Sequence, residues 1–211
     1  SLGQEADVIL EPMGRNTAPA VIIAALRLQQ MDRDEPMLVL SADHDIADVP
    51  AFHVALKSAH ALATQDFIVT LGITPSFACT GYGYIHCGDA VLKGFGVEKF
   101  VEKPNETVAQ AYLDSGDYLW NSGMFIVKPS ILLAEALALC PALLEQCQSA
   151  LNESAKDLDF IRLSVAEFEQ CESISIDYAI MEKTQKAVVV PVVCGWSDVG
   201  DLQSLWQANA K

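Results

Sequence analysis

Positive charge is scarce in this sequence. Thirteen Lys and Arg stand against 28 Asp and Glu, giving a formal net charge of −15. No basic patch is present to neutralise phosphates, which argues against nucleic acid and anionic membrane surfaces as partners. A nucleotide substrate is not excluded, because a metal ion can bring the local positive charge. No apolar run reaches membrane-spanning length, and no leader of the signal-peptide type opens the sequence. The six cysteines (Cys79, Cys87, Cys140, Cys147, Cys171, Cys194) contain no C-x-x-C pair. They read as reduced, mostly buried thiols of a cytoplasmic protein. His53 and His60 share a helix face two turns apart, a spacing poor for chelation, and are expected to face solvent. Internal repeats, linkers and low-complexity tracts are lacking as well.

What is present is a core. With 211 residues, 51% of them hydrophobic, the chain is long enough for one substantial core and is expected to form a single domain. Strand and helix patterns alternate, which points to an α/β layered sheet. Val8 to Leu10 reads as a strand and Val21 to Leu28 as a helix. Met37 to Leu40 reads as a short buried strand. Asp48 caps a helix with Pro50 in its first turn and Phe52, Leu56, Ala59 and Ala63 on one face. Phe67 to Leu71 is a strand stopped by Gly72. Residues 73–94 are loop-rich, with a short strand at Tyr82 to His86, and Val97 to Glu102 is the next strand. Asn105 caps a helix that ends at Ser115-Gly116. Tyr118 to Val127 is a strand interrupted at Asn121-Ser122-Gly123 by a bulge or a close approach. Leu132 to Leu139 is helical, and Pro141 starts another helix. Ala187 to Val193 is a strand in which Pro191 predicts an edge or a bulge. Asp201 caps a final helix with Leu202, Leu205 and Trp206 facing inward.

Several strand ends carry groups suited to chemistry. The loop Gly14-Arg15-Asn16-Thr17 runs from a strand into a helix, where free N–H groups and the helix dipole suit an anionic or nucleotide ligand. The plainer alternative is a turn capped by Asn16 or Thr17. Asp43 follows one strand and Asp198 another, and open α/β sheets gather ligands at such ends. Two carboxylates there can hold one Mg²⁺, with waters and substrate phosphates completing the octahedron; the alternative is a pair of capping aspartates. Glu102-Lys103 could accept sugar hydroxyls and hold a phosphate, or be a surface ion pair worth roughly 0–1 kcal/mol. Gly81-Tyr82-Gly83-Tyr84 offers a backbone that a ligand can approach closely. Asn121 sits at the expected bulge, where an amide can read hydroxyls, and Asp177 precedes a short helical pattern.

Taken together and in this order, these pieces resemble the nucleotide-sugar pyrophosphorylases, and within them the bacterial mannose-1-phosphate guanylyltransferases (GDP-mannose pyrophosphorylases). The matching segments are Glu11 to Ala20, Leu38 to Asp48, Thr80 to Ile85, Phe100 to Asn105, Tyr118 to Phe125, Ser175 to Thr184 and Gly195 to Gly200. Gly-Arg-Asn-Thr-Ala-Pro-Ala and Trp-Ser-Asp-Val-Gly are the most diagnostic. The resemblance implies a Rossmann-like nucleotide-diphospho-sugar transferase fold, with a mixed, mostly parallel sheet flanked by helices. It implies that GTP and mannose 1-phosphate give GDP-mannose and diphosphate, with Mg²⁺ as cofactor. By the same resemblance, Gly14, Arg15, Asn16 and Thr17 recognise the base. Asp43 and Asp198 bind the metal. Gly83, Tyr84, Glu102, Lys103 and Asn121 line the sugar-phosphate pocket, with Asp177 beside them, and Asp43, Lys103 and Asp198 carry the catalysis.

The match also departs from the family. Its members open with a G-G-x-G-x-R-L-x-P-L-S loop and a Pro-Lys pair that grip the triphosphate, and neither is found in this sequence. Cys79 stands where an acidic residue is usual. The domain is therefore expected to be N-terminally incomplete, with one strand lacking from mid-sheet beside the strand that leads to Asp43. Two alternatives stay open: a pyrophosphorylase for another base or sugar, and a non-catalytic sugar-nucleotide-binding module. Losing several preorganised contacts, each worth about 3–4 kcal/mol in the transition state, predicts weak or absent turnover by this chain. The exposed sheet edge predicts low intrinsic stability or a homodimer that covers it. Robust GDP-mannose synthesis by the purified chain, or a stable monomer that melts like an ordinary mesophilic domain, would contradict these expectations.

Overall fold

The computed structural model describes residues 6–198. Val199, Gly200 and the helix expected from Asp201 lie outside the described residues. In chain order the elements begin with β1 (Val8–Leu10) and α1 (Thr17–Gln30). Then come β2 (Met37–Val39), β3 (His44–Ile46), α2 (Val49–Ala63), β4 (Ile68–Ile73), β5 (Gly83–Val91), β6 (Gly94–Val101), α3 (Glu106–Ser115) and β7 (Tyr118–Val127). The rest are α4 (Pro129–Leu139), α5 (Pro141–Asn152), β8 (Ala155–Asp157), β9 (Phe160–Arg162), α6 (Val165–Phe168), a π-helical turn (Asp177–Met181), β10 (Ala187–Val192) and β11 (Trp196–Asp198). The chain divides into two compact units, one of Ser1–Asp34 with Leu132–Thr184, the other of Glu35–Ile131 with Gln185–Lys211. No described helix is long and apolar enough to cross a membrane.

In the first unit α1 turns Ala18, Ile22, Ala25 and Leu26 inward at helical spacing, all of them buried. It packs on α5, whose Leu143, Cys147, Ala150 and Leu151 are buried in turn. A small sheet runs β1-β9-β8, with β1 parallel to β9. The sequence patterns had not revealed β8, β9 or α6. Strands of three residues are too short to carry a readable period.

The second unit is a six-stranded sheet in the order β2-β7-β4-β10-β6-β5, and β5 also pairs with the first half of β7, so the sheet curls back on itself. The sheet is mixed, as expected, but not mostly parallel. Only β4 and β10 run parallel in it, and the other described pairings are antiparallel. The main reason is β7, which runs antiparallel to β2, β4 and β5; in addition, β5 and β6 extend through the stretch expected to be loop and meet at a two-residue turn, Leu92-Lys93, with Leu92 at φ 52°. That turn carries none of the usual Asn-Gly or Asp-Gly chemistry.

One face of the sheet is closed by α2. Phe52, Ala55, Ala59, Leu62 and Ala63 pack on Val69, Leu71, Met124, Ile126, Val188, Val190 and Val192. Burying Phe52 and Leu62 contributes about 1.5–3 kcal/mol each. Both histidines of α2 point to solvent, as expected. The expected caps are in place: Asp48 accepts from the Ala51 N–H at 2.9 Å, Asn105 from the Val108 N–H at 3.0 Å, and Gly116 closes α3 in the left-handed region at φ 75°.

Two strand expectations need correction, and a third, at Pro191, holds locally. β2 is not buried: it sits at the sheet edge, pairs with β7 alone among the described strands, and leaves Leu38 41% and Leu40 50% exposed. Gly72 does not stop β4 but lies inside it, where a Cβ would come within 2.6 Å of Leu119 Cδ1 and Val189 Cγ2. Pro191 sits in a strand flanked on both sides. Pairing with β6 covers only Val188 and Val189, so at Pro191 the strand has β4 as its single neighbour. The bulge in β7 is present, with a register shift opposite Thr70 and Gly72 and with Gly123 at φ 72°.

Gly94 shows how closely the hairpin is seated on β10. A Cβ there would stand 2.7 Å from the Val189 carbonyl oxygen, a backbone atom that cannot move aside cheaply. Gly94→Ala should cost about 1–3 kcal/mol, the range for overpacking. Urea unfolding will read this as a lower midpoint, and a wild-type midpoint would refute the close fit.

Candidate functional site

In the second unit β3 and β11 form an antiparallel ribbon with His44 opposite Asp198, Asp45 opposite Ser197 and Ile46 opposite Trp196. Directly opposed residues share one face of a ribbon. His44 and Asp198 therefore lie together, with Asp43 immediately before the strand. One ligand atom from each of Asp43, His44 and Asp198 lies within 4.8 Å of the other two. The two expected metal-binding aspartates are thus brought together. His44, which directly follows Asp43, completes the cluster and was not expected, since an imidazole beside a carboxylate carries no local signal of a ligand.

Two close carboxylates repel each other, and a divalent cation turns that repulsion into attraction. The fit of such a cation can be judged from the donors. Asp43 is exposed and His44 and Asp198 half-buried, so an ion has both carboxylates and an approach from solvent. His44 Nδ1 is buried and has no hydrogen-bond partner among the described residues. A nitrogen in that state costs about 1–3 kcal/mol unless something satisfies it. The residues fit a divalent cation.

An aromatic row leads away from this corner. The His44 ring meets Trp196 edge-on at 5.3 Å, Trp196 meets Tyr82 at 5.3 Å, and Tyr82 meets Trp120 at 5.2 Å. Beside Tyr82, Gly83 pairs with Asn121 across β5 and β7. A Cβ on Gly83 would lie 2.5 Å from Glu102 Oε2 and 3.3 Å from Asn121 Cβ. Only glycine lets the Glu102 carboxylate lie against the strand. Gly83, Glu102 and Asn121 therefore converge.

Asn121 is held in one orientation. Its Oδ1 accepts from the Thr70 hydroxyl at 2.9 Å and from the Gly123 N–H at 3.3 Å, both in the buried bulge. Lys103 follows Glu102 at φ 47°, a left-handed backbone uncommon for lysine. Its Nζ lies 3.5 Å from Glu102 Oε1, with the lysine side chain 60% exposed and the glutamate 9%. The ammonium is therefore loosely paired with the glutamate beside it and still open to solvent. Tyr84 is fully buried, and its hydroxyl accepts from the Cys79 N–H at 2.9 Å. It braces the preceding loop from inside and is not available at a surface.

The base-loop residues and Asp177 belong to the first unit. Gly14 is open: a Cβ at that position would have nothing within 4 Å. Asn16 takes φ 65°, and its side chain accepts from the Thr17 N–H at 2.9 Å. Arg15 donates to the Glu169 carbonyl at 2.7 Å, and the Thr17 hydroxyl accepts from the Ile176 N–H at 3.0 Å. Those bonds hold the loop against the segment that leads into the π-helical turn beginning at Asp177.

The whole sequence, residues 1–211, matches the nucleotidyl transferase family. The chain belongs to that family. Its members generally use a divalent metal. Mannose-1-phosphate guanylyltransferase 2 of Escherichia coli O157:H7 is 48% identical over 215 residues, covering 97% of this chain and 45% of the relative. Among solved structures, one described as mannose-1-phosphate geranyltransferase from Thermus thermophilus superposes with a TM-score of 0.83 at 32% identity, over 96% of this chain and 57% of the other. A mannose-6-phosphate isomerase from Helicobacter pylori gives a TM-score of 0.82 at 32% identity, over 90% and 73%. The chain spans a little under half the length of the curated relatives it matches. The nucleotide-sugar transferase fold expected from the motifs is therefore the fold of this family.

Proposed function

We propose that this chain is the nucleotidyl-transfer part of a mannose-1-phosphate guanylyltransferase. The reaction joins the guanylyl group of GTP to mannose 1-phosphate and releases diphosphate. What most supports this is the meeting of Asp43 and Asp198 at one point, from distant parts of a chain whose net charge is −15. The similarity to proteins named mannose-1-phosphate guanylyltransferase, at 46–48% identity over 97% of the chain, supports the choice of base and sugar.

No protein nucleophile is needed. An oxygen of the sugar phosphate attacks the α-phosphorus in line, one P–O bond forms, and the P–O bond to the departing diphosphate breaks. The protein supplies position and electrostatic support. A bound Mg²⁺ supplies charge neutralisation at the phosphates. Asp43 and Asp198 hold the ion, and Lys103 extends its ammonium to the sugar phosphate. Glu102 accepts sugar hydroxyls, and the Asn121 amide, fixed by the bonds to its Oδ1, orients them against the bare backbone of Gly83. In the first unit Gly14, Arg15, Asn16 and Thr17 recognise guanine, and Asp177 accepts a polar group of the ligand.

Calorimetry on the purified chain with Mg²⁺ tests the assignment. GDP-mannose should bind at least about tenfold more tightly than UDP-glucose or ADP-glucose, a gap of about 1.4 kcal/mol. Asp43→Asn and Asp198→Asn should each weaken that binding. A preference for UDP-glucose would overturn the base and sugar assignment. GDP-mannose binding without any GTP–Mg²⁺ binding would point instead to a pocket that has lost its chemistry.

A further inference from the structure

We infer that His44 is a third protein ligand of the divalent cation, so that this site favours Mn²⁺ or Co²⁺ over Mg²⁺. The inference rests on the proposed cation-holding role of Asp43 and Asp198. Three separate observations support it. The ring belongs to the cluster: a His44 nitrogen lies within 4.8 Å of ligand atoms of both aspartates. Its Nδ1 is buried and unpartnered among the described residues. And its position is fixed, by the register opposite Asp198 and by the edge-on contact with Trp196 at 5.3 Å. A ring held this firmly with an unsatisfied nitrogen is prepared for a ligand.

The chemistry then follows from the donor set. Mg²⁺ is a hard ion that takes oxygen ligands and keeps its waters. Imidazole suits transition ions, and affinity at a site with a nitrogen donor rises from Mn²⁺ to Co²⁺. Two carboxylates and an imidazole therefore bind Mg²⁺ through the oxygens alone, and a transition ion through all three groups.

The test uses Mn²⁺, Co²⁺ and Mg²⁺ by themselves. Calorimetry on the full chain should show Mn²⁺ and Co²⁺ binding more tightly than Mg²⁺. His44→Phe keeps a ring against Trp196 but removes both nitrogens. It should weaken Mn²⁺ and Co²⁺ by at least about tenfold and leave Mg²⁺ within about twofold. Independently of any variant, electron spin-echo spectra of the Mn²⁺-loaded chain should show nitrogen hyperfine coupling, and Asp43→Asn should abolish the binding. Absence of nitrogen coupling in the loaded wild type, or an unchanged Mn²⁺ to Mg²⁺ ratio in a folded His44→Phe, would overturn the role of His44. Divalent-ion binding that survives both Asp43→Asn and Asp198→Asn would instead remove the carboxylate site on which the inference rests.

Discussion

The register of the β3–β11 ribbon is the constraint on which the proposed chemistry depends. Side chains alternate faces along a strand, so a slip of one residue would turn Asp198 away from His44 and Asp43. Several contacts fix that register. The Asp48 N–H donates to the Cys194 carbonyl at 2.8 Å, just before β11. Gly195 makes the bend at φ 63°, where any Cβ would come 2.8 Å from Ala47 Cβ. Trp196, opposite Ile46, packs toward the α2 core and meets both His44 and Tyr82 with its ring. A hydrophobic cluster thus determines where two carboxylates stand.

The rest of the second-unit site follows the same logic, in which backbone openings and buried hydrogen bonds position a few polar groups. Gly83 leaves room for the Glu102 carboxylate, and the bulge at Gly123 brings the Asn121 amide under the Thr70 hydroxyl. The Ser122 hydroxyl donates to the Leu71 carbonyl at 2.7 Å and ties the bulge to β4. A buried polar network of this kind rigidifies because leaving any member unpaired is costly. Lys103 is the exposed complement: a compact positive charge held beside Glu102, in a chain otherwise dominated by negative charge.

How much of this was legible in the sequence depended on whether the signal was local. Asn16, Asp48, Asn105 and Gly116 act on their immediate neighbours, and each was readable as a cap. So was the bulge at Asn121-Ser122-Gly123, because a glycine inside an apolar strand has few other uses. The pairing of Asp43 with Asp198 came from their shared place at strand ends. Non-local facts did not show. β3 and β11 are three residues each and are strands only because they meet, so neither has a period of its own. The alternation of strands and helices suggested parallel crossovers, whereas the Leu92-Lys93 turn makes a hairpin without glycine or asparagine at its centre. Gly72 looked like punctuation and Gly94 closed a stretch expected to be loop, but both are contact points, which only the neighbouring side chains and carbonyls reveal. His44 was overlooked because its nitrogen becomes significant only when Asp198 is seen opposite.

The central claim is that Asp43 and Asp198 hold one cation between them. Anomalous diffraction from crystals of the chain grown with Mn²⁺, recorded at the manganese absorption edge, tests it most directly. A single strong peak between the two carboxyl groups is the predicted result. No peak there, with both side chains turned to solvent or to other partners, would contradict the account.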